Sequence, residues 1–310
     1  MSSARSITVN NPLVKSNCTL GEGPLYDPST GILHFVDIVE KRVFHLNTNT
    51  KELVKEQFDE PISCLALRKN GQGLACVTAQ GFALINPGSK ELTYLSKPLP
   101  SEHVGHVRFN DGACDSKGRF FAGTICSSDP KIPGQLYRFD PHTRAATLVD
   151  EGPFSDSNGL GWTADERTMF FTDSLVNKIL MYDYDDGKLS NRRLFVDTLA
   201  IGLPRGTFPD GLCIDSEGGV WSARWGGSKV VRHSQNGSID FQIDFPTALN
   251  VTACCFGGPE NDQMYVTTAH CGAINGDASR QQQYFNSGDV FQVNLSGLFK
   301  GGVWRHAFGL

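Results

Sequence analysis

The chain has 310 residues, a net charge of −5 and an apolar fraction of 39%, enough to bury a sizeable core. No run of Lys or Arg forms a track for a phosphate backbone, and no apolar stretch approaches the roughly 20 residues of a membrane span. Nucleic-acid and membrane partners are therefore not expected. The nine cysteines lack zinc-type Cys-x-x-Cys pairs, and residues 1–10 lack the apolar centre of a secretory signal. Buried, reduced thiols in a cytoplasmic protein are the expectation.

Along the chain, one strand-like run at residues 13–19 precedes a pattern that then recurs. Each copy begins with a small or polar residue, continues with alternating apolar residues, passes an Asp/Asn/Gly turn and ends in a second β-rich run. The copies begin near Glu22, Ser63, Asn110, Asn158, Asp210 and Thr252, at spacings of 41, 47, 48, 52 and 42 residues. Turns such as residues 27–31, 69–71, 115–118 and 215–218 supply Asx hydrogen bonding and a glycine between two apolar runs. Third strands follow, as at residues 42–46 and 178–182. No long helical period interrupts them.

Six units of 40–50 residues, each with room for four short strands, predict an all-β, six-bladed β-propeller of four-stranded blades, one domain over residues 1–310. A propeller must close its ring. The 13–19 run and a second strand-like run at residues 302–306 are expected to pair in one blade and lock it.

In each unit the first strand is the candidate for the innermost position, and its residues i, i+2 and i+4 share a face. The six first residues should then converge on the axis. They include two carboxylates, Glu22 and Asp210, and two carboxamides, Asn110 and Asn158, with no His or Cys. Oxygen donors of this kind suit one hard divalent cation, Ca²⁺, Mg²⁺ or Mn²⁺, with Zn²⁺ less typical.

At these residues the chain resembles the family of senescence marker protein (regucalcin), gluconolactonase and luciferin-regenerating enzyme. The matching segments are residues 21–24, 108–112, 118–124, 157–160, 190–193, 209–211, 254–258, 264–267 and 288–291. The resemblance spans about residues 20–300. It implies a metal held by Glu22, Asn158 and Asp210, substrate contacts from Arg108 and Asn110, and Asp210 as the general base. It also implies one departure: where family members often carry a glutamate that holds sugar hydroxyls, this chain has Ser128.

The reaction expected is hydrolysis of a small cyclic ester, such as a sugar lactone, by a monomer or weak homodimer acting on a small-molecule substrate. A phosphotriesterase, an isomerase or lyase on the same metal, and a calcium-binding regulator without turnover are the alternatives. No Gly-x-Ser-x-Gly elbow supports a serine nucleophile.

Overall fold

The computed structural model describes residues 4–89, 91–126 and 132–310. Antiparallel strands build six separate sheets, arranged as the six-bladed propeller that the repeat predicts. Four blades have four strands. In chain order their innermost strands are Gly21–Asp27, Ile62–Leu67, Val107–Cys114 and Ser157–Trp162. The fifth blade starts at Phe208–Ile214 and the sixth at Asn250–Gly257. Each of the six repeat positions read from sequence falls on one of these innermost strands.

The turns form as their chemistry dictates. The Asp27 carboxylate accepts the Ser29 amide at 2.9 Å, and Gly31 completes the turn with φ +71°, a conformation an L side chain resists. Between blades the apolar faces pack face to face, with Phe35, Phe109, Phe121, Trp162, Phe171 and Trp221 fully buried. Six such wedges leave the innermost strands around a narrow axis.

The two chain ends close the ring differently from expectation. Arg5–Thr8 adds a fifth, parallel strand to the fifth blade beside Ile239–Asp244. The next segment supplies the missing outer contact of the sixth blade, where the Leu13 amide donates to the Val290 carbonyl at 2.7 Å. The N-terminal run therefore does close the ring.

The 302–306 run does not pair with it. The C-terminal tail instead crosses the far ends of the innermost strands, linking Gly301 to Asp215, Trp304 to Trp162, His306 to Cys114 and Phe308 to Leu67 and Arg68. Its apolar anchors explain this course. Trp304 and Phe308 are buried beneath the channel, Phe308 against Phe120 and Phe139.

All nine cysteines are free thiols, and all but Cys126 are buried. Burial pushes several thiols, including Cys76, well above the ordinary range, so they stay protonated and behave as small apolar groups.

Candidate active site at the channel mouth

Every innermost strand carries a break in its pairing register near its start. The breaks lie between Glu22 and Leu25, Phe109 and Gly112, Ser157 and Leu160, and Pro209 and Leu212. A bulge of this kind re-aims side chains out of the pleat. The simple alternation expected for Asp210, Leu212 and Ile214, or for Glu22, Pro24 and Tyr26, is thereby broken, and the head of each strand is turned to the axis on its own.

Glycine follows three of the heads, Glu22, Asn158 and Asp210, and at the last two the reason is steric. A Cβ on Gly159 would lie 2.2 Å from the Leu212 amide, and one on Gly211 would lie 2.4 Å from the Ala253 Cβ. These Asn-Gly and Asp-Gly pairs are mid-strand approaches between blades and not turns.

Glu22, Asn110, Asn158 and Asp210 meet at the head of a cavity of about 250 Å³. All four are buried. Ser63 and Thr252 do not line it. The Ser63 hydroxyl donates to the Val77 carbonyl, and Thr252 Oγ1 donates to the Gly21 carbonyl, tying the last blade to the first.

A chain of hydrogen bonds crosses the floor. Arg108 Nη1 donates to Asn110 Oδ1 at 2.7 Å, Asn110 Nδ2 donates to Asn158 Oδ1 at 3.1 Å, and Asn158 Nδ2 donates to Ser174 Oγ at 2.8 Å. The carboxamide oxygen of Asn158 is thus fixed in orientation and keeps a second lone pair. Asn110 is held at both ends, so its first role is to position its neighbours. One Arg108 nitrogen is likewise committed to its own strand. Ser128 lies outside the described residues.

The carboxylates are under electrostatic stress. Burial, and then the neighbouring Asp111, push the Glu22 carboxyl up from 4.5 to about 8. Burial and Glu22 push Asp210 in the same direction. Two buried carboxylates raised together are a site that gains from a cation. Two carboxylates with a fixed amide oxygen match the donors a hard divalent ion takes. Among the described residues no three His, Cys, Asp or Glu side chains converge as a metal cluster. The donor set fits only because Asn158 completes it.

Four charged groups were missed in sequence: Asp156, Arg224, Asp111 and Arg305. Asp156 lines the cavity, its Oδ1 is buried without a hydrogen-bond partner, and burial raises its carboxyl to about 6 against the pull of Arg108. Its signal was available: Leu20, Arg108, Asp156 and Phe208 each stand two residues before a head, and all four line the cavity.

Arg224 is fully buried on the strand beside Asp210, where burial lowers its guanidinium to about 10 and Asp210 opposes the fall. Below the floor, Asp111 shares a small cavity with Arg305 from the C-terminal tail, whose Nη2 donates to the Pro24 carbonyl.

A propeller whose inner strands deliver two carboxylates and two carboxamides to one mouth defines a class of proteins, and sequence comparison names it. The chain belongs to the SMP-30/Gluconolactonase/LRE-like family, whose model matches residues 20–270. Regucalcin of Xenopus laevis is 33% identical over 303 residues, covering 96% of this chain and 97% of that one. Human regucalcin is 31% identical over 293 residues, covering 92% and 94%. A solved luciferin-regenerating enzyme superposes with a TM-score of 0.84 at 26% identity, covering 95% and 96% of the two chains. A calcium-binding regucalcin of Agrobacterium tumefaciens shares the fold, with a TM-score of 0.86 at 22% identity and coverage of 99% and 100%. No helix among the described residues is long and apolar enough to cross a membrane.

Proposed function

We propose that this chain is a divalent-cation-dependent hydrolase of small cyclic esters. The observation that carries the reading is the pair of buried, raised carboxylates Glu22 and Asp210 beside the fixed amide oxygen of Asn158, at the head of a cavity sized for a small molecule. Membership of a family named in part for gluconolactonase supports it.

Glu22, Asn158 and Asp210 would hold the cation. When bound, it supplies electrophilic polarisation of the ester carbonyl and a counter-charge for the developing oxyanion. Asp210 takes the proton of the attacking water at its carboxylate and returns it to the ring oxygen as the acyl C–O bond breaks, so that a lactone leaves as its hydroxy acid. Arg108 and Asn110 orient the carbonyl, as the hydrogen-bond chain fixes both against rotation. Arg224, beside Asp210, balances the charge of that carboxylate from the protein side.

The test is proton release from γ- and δ-lactones by chelator-stripped protein, with Ca²⁺, Mg²⁺, Mn²⁺ or Zn²⁺ restored singly. Turnover that needs the cation and vanishes in Asp210→Ala is expected. Cation uptake with no turnover of any lactone would overturn the hydrolase and leave a cation-binding regulator.

A further inference from the structure

We infer that the substrate of this site is a neutral ester carrying an alkyl or aryl substituent, and not a polyhydroxylated sugar lactone. The inference rests on the ester-hydrolase reading and narrows it to a substrate class. The cavity is divided by chemistry. Its polar groups are confined to the floor, where Arg108, Asn110, Asn158 and Ser174 are bonded to one another and Glu22, Asp156 and Asp210 stand beside the cation position. The rest of its described wall is apolar: Leu20, Ile38, Leu175, Phe208, Trp225 and Ile274 face it with no hydroxyl or carboxylate among them. A sugar lactone brings several hydroxyls, and against such a wall each would lose its water without gaining a partner. An alkyl or aryl group loses only unfavourable hydration there.

The wall is built to stay in place. Leu20 and Ile38 belong to one buried cluster with Ala273, and Trp225 packs against that cluster. At the rim, Leu175 and Ile274 remain 57% and 59% exposed, apolar surface that the folded chain leaves uncovered. Ile274 is held at φ 48°, ψ 51°, the left-handed region that a β-branched residue strongly disfavours. Glycine or asparagine would sit there without strain, so the chain keeps an isoleucine at the mouth against its backbone preference.

The floor also argues against an anionic substrate. Glu22, Asp156 and Asp210 face Arg108 alone among the charged residues lining the cavity. A bound divalent cation and Arg108 together only balance those three carboxylates, so no positive charge is left over for a substrate carboxylate, and a neutral ester needs none.

The experiment compares cation-loaded wild type on γ-lactones of increasing 4-alkyl length with the same protein on glucono-1,5-lactone. The kcat/KM is expected to rise about fourfold per methylene until the mouth is filled, and to exceed that for gluconolactone by tenfold or more. Leu175→Asn and Ile274→Asn are expected to flatten the dependence on chain length, and Ile274→Asn also relieves the strained backbone, so it should fold. Gluconolactone turned over faster than every alkyl lactone would overturn the inference and leave the hydrolase reading standing.

Calorimetric binding of the matching cyclic amides, 4-alkyl lactams against gluconolactam, reads substrate class without turnover. Tighter binding of the alkyl lactams supports the inference even if no lactone is cleaved. Tighter binding of gluconolactam overturns it.

Discussion

Glu22 offers a quantitative handle on the site through the pH dependence of folding. Its carboxyl is raised from 4.5 to about 8 in the folded chain, chiefly by burial and then by Asp111. A raised acid keeps its proton when folded and releases it when unfolded. The folded state is therefore at no disadvantage below pH 4.5 and loses stability as pH rises towards 8. Each such proton lowers the unfolding free energy by about 1.4 kcal/mol per pH unit, about 4 kcal/mol between pH 5 and 8.

Two buried histidines act with the opposite sign. His34 and His233 are lowered by burial from 6.5 to about 4, so their contribution rises with pH and is complete by 6.5. They are unchanged in Glu22→Gln and cancel in the difference from wild type. Urea unfolding in the presence of chelator, at pH 5 to 8, should show wild type losing on the order of 4 kcal/mol relative to Glu22→Gln. A saturating divalent cation should abolish the wild-type fall, because it binds the ionised carboxylates of the folded state alone. Parallel pH profiles for wild type and Glu22→Gln in chelator would refute the reasoning.

Other residues make separate predictions. The Asp173 carboxylate accepts the Ser155 and Asp156 amides at 2.9 and 3.1 Å, just before Asn158. Asp173→Ala should cost roughly 2–4 kcal/mol of unfolding free energy and should lower kcat/KM, checked by denaturation and steady-state kinetics. Ser174→Ala removes the hydroxyl that holds Asn158 Nδ2. It should raise the cation dissociation constant about 10- to 100-fold, read by calorimetry, with a much smaller change in melting temperature. Phe308→Ala should cost about 3–5 kcal/mol, since its ring is fully buried under the far end of the inner strands. At temperatures where the variant is folded its kcat should match wild type.

The repeat made the propeller legible because turn chemistry and β-rich runs recur in every blade, and each expected unit start falls on an inner strand. The four polar heads were legible for the same reason. Ser63 and Thr252 show where the pattern stops, since a hydroxyl can satisfy itself on a neighbouring carbonyl and leave the axis.

The bulges were not legible. They are set by the closeness of adjacent inner strands, which only the assembled ring defines. Asp156 was hidden in a Ser-Asp-Ser segment that reads as loop, although it stands two residues before Asn158, as Arg108 does before Asn110. The tail was misassigned because Gly302–His306 has strand composition. What decides its course is burial of Trp304 and Phe308 beneath the channel.

Asp173 has a counterpart that sequence did not announce. Asp37 accepts the Thr19 and Leu20 amides at 2.8 and 3.1 Å, three and two residues before Glu22, as Asp173 does before Asn158. Two blades thus position their heads by one device, an acid at the end of the second strand that fixes the approach to the first.

The most direct test of the central claim measures cation stoichiometry and lactone turnover on the same preparations of wild type, Glu22→Gln and Asp210→Asn. The account predicts one divalent cation per wild-type chain with turnover that rises in step with occupancy. It predicts weakened binding and lost turnover in both variants, with their folds intact by circular dichroism. Wild-type turnover that persists unchanged in chelator, or in Asp210→Asn, would contradict it.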